Sequence, residues 1–239
     1  MMNKHCVILG ASGEIGSAIA IDLAKYGYTL TLHYNNNKEA IEKLINQLPN
    51  ETVLQIIQSD LSYQTGIEAF INQMSIMPTH LVFASGQAYY GLLQDTSIEM
   101  MDHLYHIHAK AVWMITKACL PSMVREGYGN IGVISSIWGE TGASCEVIYS
   151  SVKGAQNSFV KALAQEVARS NIRINAVSPG FIDTKMNQQL TSEEKNAVIN
   201  EIPANRAGKP EEVAALVTFL FDEKSAYVNG ENIKISGAW

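Results

Sequence analysis

Apolar runs of strand length alternate along the chain with longer segments of helical period. "CVILG" reads as a first strand, and the pattern then turns helical from about Glu14 to Tyr26. "TLTLHY" is a second strand, followed by the helical "KEAIEKLINQL". "VLQIIQSDL", "HLVFASG", "NIGVISS", "IRINAVSPG" and the closing "NIKISGAW" are the remaining strands, making seven. Several of these runs are continuously apolar rather than alternating, as expected of strands buried on both faces. Strands of that kind separated by helices predict an α/β protein: a three-layer, doubly wound parallel sheet of seven strands. No repeat, low-complexity tract or linker breaks the 239 residues, so residues 1–239 are expected to form one domain. Sheets of this type bind ligands beyond the carboxyl ends of the strands. The residues of chemical interest fall at those ends.

Composition narrows the function classes. An apolar fraction of 47% with 17% charged residues fits a globular chain, and no window reaches the length of a membrane span. The net charge of −6 removes a general electrostatic case for nucleic acid. Cys6, Cys119 and Cys145 are scattered, which speaks against a disulfide framework and a cysteine zinc site. The apolar run near the N-terminus is too short for a secretion signal, so the expected location is cytoplasmic. His103, His106 and His108 lie close in sequence but lack the i, i+4 spacing of a zinc pair, and no metal is expected.

The first strand ends in "GASGEIG". Gly10 permits a tight turn, Gly13 keeps the loop thin, and Gly16 lets the next helix pack close. The N–H groups that open that helix, with the positive end of its dipole, suit a pyrophosphate. Ser12, Glu14 and Ile15 belong to the same loop. At the tip of the second strand, Tyr34, Asn35 and Asn36 stand where an NAD-binding chain usually carries a carboxylate for the ribose. The neutral tip, with Lys38 nearby, favours NADP(H) over NAD(H).

"YSSVKGA" places Tyr149 and Lys153 at i and i+4, on one face of a helix. An ammonium beside a phenol favours the phenolate, which would make Tyr149 a usable proton donor near neutral pH.

The ordered set of glycine loop, "SDL" after the third strand, Ser136 after the fifth, "YSSVK" and "SPGFIDT" resembles the short-chain dehydrogenase/reductase family over nearly the whole chain, with its Rossmann fold. The C-terminal half is most similar to 3-oxoacyl-[acyl-carrier-protein] reductases. The resemblance implies Tyr149 as general acid, Lys153 as its activator and ribose ligand, and Ser136 as a donor to the developing alkoxide. It places Asp60 and Leu61 near the adenine, with helix capping the alternative role for Asp60. It places Ala84, Ser85 and Gly86 along the cofactor, and Pro179, Gly180, Ile182 and Thr184 around the nicotinamide. It also implies a substrate lid at about 185–208 and a homotetramer built on two long helices.

Three departures from the family pattern stand out. Glu14 replaces a loop glycine, and its carboxylate near a pyrophosphate would be unfavourable. "FASG" replaces the asparagine-bearing "NNAG". His108 stands where the family has an asparagine in a proton relay; it can replace that residue or be a packed helix side chain. Substrate contacts are expected from Gln87, Tyr89, Trp138, Glu140 and Glu146, a set with no cation. The basic positions of carrier-dependent reductases correspond to Asn130 and Ser170, with Arg169 and Arg173 as displaced candidates. The chain is also similar to elongation factor P 5-aminopentanone reductases, whose ketone substrate ends in an amine that Glu140 or Glu146 could receive. A different class, a catalytically silent NADP-binding sensor or scaffold, is disfavoured by the complete Ser136–Tyr149–Lys153 set. Expected substrates are small or protein-attached ketones, with neither nucleic acid nor membrane as partner.

Overall fold

A computed structural model describes residues 4–187 and 190–239. The strands are β1 (His5–Leu9), β2 (Thr29–Tyr34), β3 (Val53–Gln58), β4 (His80–Phe83), β5 (Gly129–Ile134), β6 (Ile172–Pro179) and β7 (Asn232–Ile235). They form one seven-stranded sheet in the order β3-β2-β1-β4-β5-β6-β7, and every pairing is parallel. The chain reverses direction across the sheet between β1 and β4. That is the switch point at which doubly wound sheets open a crevice.

The longer helices are α1 (Glu14–Lys25), α2 (Lys38–Ile45), α3 (Gln64–Gln73), α4 (Ile98–Tyr105), α5 (Ala111–Glu126), α6 (Trp138–Thr141), α7 (Val147–Val167), α8 (Ser192–Glu201) and α9 (Pro210–Phe221). They cover both faces of the sheet with two apolar layers. One gathers Ile8, Leu30, Leu32, Ile19 and Val217; the other gathers Leu9, Leu81, Phe83, Phe70, Ile115 and Val160. Adjacent residues such as Ile8 and Leu9 go to opposite layers, which is why the central strands read as unbroken apolar runs. Each fully buried aliphatic or aromatic side chain contributes about 1.5–3 kcal/mol of transfer free energy.

Two local features matter for the site. Between α4 and α5, residues His106–Lys110 form a π-helical turn, a rare element that concentrates at functional sites. The segment expected as a lid, 185–208, carries α8, which opens with a capping box between Thr191 and Glu194 and buries none of its side chains. Its base is closed by a bridge between Ile182 and Gly208. Residues 188 and 189 of that expected lid lie outside the described residues. No described helix is long and apolar enough to cross a membrane.

Candidate active site

The glycine loop sits at the switch point. Gly10 has φ +80, and a Cβ there would come within 2.5 Å of the Ser85 nitrogen. The ends of β1 and β4 therefore meet without a side chain between them, bringing Ala84 and Ser85 against the loop. Gly16 packs on the Gly10 carbonyl in the same way. Gly13 differs: its φ is −81, and a Cβ would meet only the Gly10 oxygen at 3.4 Å, an ordinary contact. The fold does not require a glycine there, so the open space in front of Gly13 is left for something else. Behind it α1 starts with no side-chain cap. The opening N–H groups, at Glu14, Ile15 and Gly16, have no intrahelical partners. Open space and uncapped donors fit a phosphate group.

Glu14 does not aim its charge into that space. Its Oε2 accepts the Lys185 N–H at 2.7 Å, tying the start of α1 to the base of the 185–208 segment. This anchor fixes where the carboxylate sits and leaves its charge in place.

At the β2 tip, the Tyr34 side chain is buried, the Asn35 carbonyl accepts from Gln58 Nε2 at 3.0 Å, and Asn36 is exposed. Asn37 caps α2 by accepting from the Ala40 N–H. Lys38 lies 3.5 Å from Glu42, with both side chains exposed. Asp60 Oδ1 accepts from both the N–H and the hydroxyl of Ser62, shaping the turn before α3. Its side chain thus shapes a local turn and does not cap α3, whose N-cap position is Tyr63. The Leu61 side chain is packed into the core, leaving only its main chain for a ligand.

Ser136, Tyr149 and Lys153 converge beyond the end of β5. Ser136 Oγ accepts the Trp138 N–H at 3.2 Å and lies close enough to Tyr149 to favour its ionised form. Lys153 is 3% exposed; Nζ donates to the Ile134 carbonyl at 2.8 Å and lies 5.5 Å from the centre of the Tyr149 ring. Burial pulls the Lys153 amine down to about 7. Burial also holds the Tyr149 phenol well above its ordinary range; Glu146 adds to this and Ser136 opposes it. The sequence led us to expect Lys153 to lower the phenol. Burial of both groups outweighs that attraction.

The approach of these groups depends on two residues that pattern reading passed over. A Cβ on Gly139 would fall 2.8 Å from the Lys153 carbonyl carbon, so the glycine lets α6 lie on α7. Gln156 follows Lys153 by three on the same helix face, a spacing that could have flagged it. Its Nε2 donates to the His108 carbonyl at 2.7 Å, inside the π turn.

His108 is buried, with its ring edge-on to Tyr149 at 5.4 Å. Nε2 lies 2.9 Å from the Gln87 carbonyl and 3.3 Å from the Gln87 nitrogen, while Nδ1 has no partner among the described residues. A Cβ on Gly86 would come within 2.6 Å of this ring, so the glycine of "FASG" makes room for the imidazole. Burial, with Lys153 nearby, keeps His108 neutral. The neighbouring histidines face elsewhere: His103 packs on Tyr63 and His106 bonds to the Asp102 carbonyl.

The expected substrate residues divide. Trp138 packs edge-on against Trp239 at 5.1 Å, and Tyr89 folds over Gly91. Glu140 was expected to face the substrate. Instead it pairs with Lys234 at 2.7 Å and accepts from Asn232 at 2.7 Å, because β7 brings that lysine to it. Glu146 is half-buried near Tyr149 and has no hydrogen bond or ion pair to its carboxylate among the described residues; burial raises its pKa. Among the residues expected around the nicotinamide, the Gly180 N–H donates to the Ile235 carbonyl, Ile182 is buried and bridged to Gly208, and Thr184 Oγ1 is 3.5 Å from the Ile182 carbonyl. Pro179 ends β6 beside them. The carrier-binding expectation keeps one of its two cations: Asn130 is buried and Arg173 is used up on the carbonyls of Leu220, Ser225 and Asp222, whereas Arg169 is exposed.

Comparison with known proteins agrees with this arrangement. Residues 10–238 match the family model described as enoyl-(acyl carrier protein) reductase. An oxidoreductase of Bacillus subtilis, YmfI, is 43% identical over 240 residues, covering 100% of this chain and 99% of its own. The 3-oxoacyl-[acyl-carrier-protein] reductase FabG of Thermotoga maritima is 32% identical over 98% of this chain and 96% of its own. The crystal structure of YwfH, described as an NADPH-dependent reductase of bacilysin biosynthesis, superposes with a TM-score of 0.90 at 23% identity, over 99% of this chain and 98% of that one. The chain belongs to the short-chain dehydrogenase/reductase family of oxidoreductases.

Proposed function

We propose that the protein is an NADP(H)-dependent ketone reductase, with Tyr149 as its general acid. The observation that carries this reading is the convergence of Ser136, Tyr149 and the buried Lys153 on one point beyond β5. The glycine loop and uncapped start of α1 would hold the pyrophosphate. The β2 tip, free of carboxylates at Asn35 and Asn36, suits a 2′-phosphate. Relatives described as NADPH-dependent or NADP-bound support the same cofactor. When bound there, NADPH would supply the hydride for the carbonyl carbon. Tyr149 gives its proton to the carbonyl oxygen as that bond becomes an alcohol, and its raised pKa keeps it in the donating form. Ser136 donates to the same oxygen. Lys153 would meet the nicotinamide ribose. His108, neutral and with no partner for Nδ1 among the described residues, would pass a proton toward Tyr149. The 185–208 segment, anchored through Glu14, would act as the lid of a one-domain enzyme.

Tyr149→Phe tests this directly. NADPH affinity should stay within about threefold while ketone reduction falls by about 10²–10⁴-fold, the range for loss of a general acid. Undiminished turnover in the Phe variant sinks the mechanism. Unchanged absence of turnover in both proteins, with NADPH bound, supports the silent sensor instead.

For the substrate, Glu146 favours a ketone whose far end carries a protonated amine, as in the 5-aminopentanone group on elongation factor P, over a 3-oxoacyl chain on an acidic carrier. It is a half-buried carboxylate beside the general acid with no partner among the described residues, whereas of the two arginines a carrier could use Arg173 is occupied and Arg169 alone is left exposed. Glu146→Gln should raise KM for an amine-bearing ketone by about tenfold and leave a neutral diketone unaffected. Equal KM values for the amine-bearing ketone in the two proteins overturn the preference. The half-exposed face of Trp113, Leu120, Val124 and Phe159 on α5 and α7 supports a homotetramer, and Val124→Glu should reduce the mass seen by light scattering.

A further inference from the structure

His33, near the end of β2, is 2% exposed and makes two hydrogen bonds to main chain outside its own strand. The Gly10 N–H donates to Nδ1 at 3.1 Å. Nε2 lies 3.0 Å from the Ser59 carbonyl. An amide can only donate and a carbonyl only accept, so the two contacts fix the tautomer: Nδ1 is bare and Nε2 carries the proton. His33 also accepts the Ala11 N–H at 2.9 Å through its own carbonyl, and Phe70 packs edge-on against its ring at 5.4 Å.

The ladder does not make these connections. Pairing of β1 with β2 ends at Ile8 and Leu32, and pairing of β2 with β3 ends at Tyr34 and Gln58. Past those points the main chain ties each segment to β2 separately, Ala11 N–H to the His33 carbonyl and Ser59 N–H to the Tyr34 carbonyl, and the His33 ring joins the glycine loop directly to the Ser59–Asp60 turn. The two segments form adjoining walls of the proposed dinucleotide site.

We infer that His33 is a positioning residue for the dinucleotide: a neutral imidazole that sets the Gly10 loop and the Ser59–Asp60 turn at the separation the cofactor requires, without touching it. The inference rests on reading the glycine loop as an NADP(H) site. An imidazolium could not serve, because a proton on Nδ1 would face the Gly10 N–H donor to donor. Burial pushes the ring down to about 4, against the pull of Asp60, so the neutral form is the one present near pH 7.

Conservative variants separate the two contacts. Asn at this position offers an oxygen near the place of Nδ1 but cannot reach Ser59. Gln reaches Ser59 but leaves the Gly10 N–H alone. Leu makes neither bond. The readouts are NADPH fluorescence titration, KM for NADPH, kcat and thermal melting, on His33→Asn, His33→Gln and His33→Leu. Gln and Leu should weaken NADPH binding about tenfold, the cost of one unpaired buried amide, with kcat unchanged at saturation. Asn should stay within about threefold of the parent protein. If Leu does not fold, the Asn–Gln contrast decides. NADPH binding equal in Asn and Gln, or losses that track melting temperature alone, overturns the positioning role and leaves the cofactor reading intact. Failure of the unsubstituted protein to bind NADPH overturns the cofactor reading and this inference with it.

Discussion

The two ends of the sheet bury the same kinds of residue and treat them differently. At the foot, where the strands begin, His5 is held between Thr29 and Thr31, each at 3.0 Å. His80 sits among Tyr28, Tyr128 and Asn130, all within 3.4 Å of Nε2, and its Nδ1 meets Thr79. Arg173 is absorbed by carbonyls. At the carboxyl end, His108 Nδ1, Gln156 Oε1, Asn157 Nδ2 and Ser59 Oγ are buried without hydrogen-bond partners among the described residues, as are His103 Nε2 on α4 and Thr116 Oγ1 on α5; a buried lysine and a glutamate with no described partner lie near them. The foot leaves Asn130 Oδ1 in that condition. Buried polar groups in a stable fold are normally paired. The foot follows that rule apart from Asn130 Oδ1, whereas the other end leaves more such groups, as expected of a site that binds a ligand.

If that contrast is right, removing the costliest group at the ligand end should harm activity and help the fold. Lys153→Met should lower ketone turnover by about a hundredfold or more through loss of the cation beside Tyr149. The stability effect has a definite sign. The folded amine titrates at about 7 against an ordinary value of about 10.4, so between those values the unfolded chain binds more protons. Stability of the parent protein therefore rises with pH across that window, and the burden of burying the charge is complete below it. The Met variant should melt higher at pH 6, by about 2–4 °C for each kcal/mol recovered, with a gain that shrinks toward pH 10. A lower melting temperature at pH 6 would mean that the Lys153 bond to the Ile134 carbonyl is part of the framework and would break the contrast.

The converse substitution belongs at the foot. His80→Leu leaves Tyr28, Tyr128 and Asn130 without their shared partner and should cost about 2–4 kcal/mol, as one to two lost buried hydrogen bonds imply. kcat and both KM values should not move. Urea unfolding followed alongside initial rates decides it. A change in KM for NADPH would show that the foot and the ligand end are coupled through the sheet.

What the sequence disclosed follows the same division. The strands were legible because each is an apolar run with turn residues after it; β2 agrees with its sequence segment to the residue. Ser136, Tyr149 and Lys153 were legible because their spacing is set by one strand end and one helix face. Glu140 was misread because its partner, Lys234, lies on β7, and no local pattern carries a contact across 94 positions. The His33 role was hidden for the same reason. At the end of "TLTLHY" it reads as one polar residue at a strand tip, and its partners, Gly10 and Ser59, are backbone groups that no side-chain motif records. Glu14 reads as a repulsive neighbour for phosphate, and its bond to the Lys185 N–H was hidden in the same way.

Acid sharpens the contrast further. Burial pushes His33 and His80 down to about 4 and about 3, from an ordinary value near 6.5, and lowers His5 and His108 as well. Below 6.5 the unfolded chain takes up these protons first, so stability is full above that value and falls as the pH drops toward the folded values. Each such histidine adds about 1.4 kcal/mol per pH unit to the slope. In urea titrations between pH 6 and 5, His80→Leu should reduce that slope by one proton. An unchanged slope would mean that His80 is already protonated in the fold, contrary to its position among Tyr28, Tyr128 and Phe221.

The smallest effect should come from Glu140, and it separates the two carboxylates near the substrate end. Glu140 and Lys234 are both partly exposed, and pairs of that kind contribute about 0–1 kcal/mol. Glu140→Gln keeps an oxygen to accept from Asn232 Nδ2 and loses only the charge. Stability should change by less than about 1 kcal/mol, and KM for an amine-bearing ketone should stay at the parent value, whereas Glu146→Gln raises it. If Glu140→Gln alone raised that KM, the Lys234 pair would have to open when substrate binds, and the cation site would lie on the β7 side of Trp138 rather than at the start of α7.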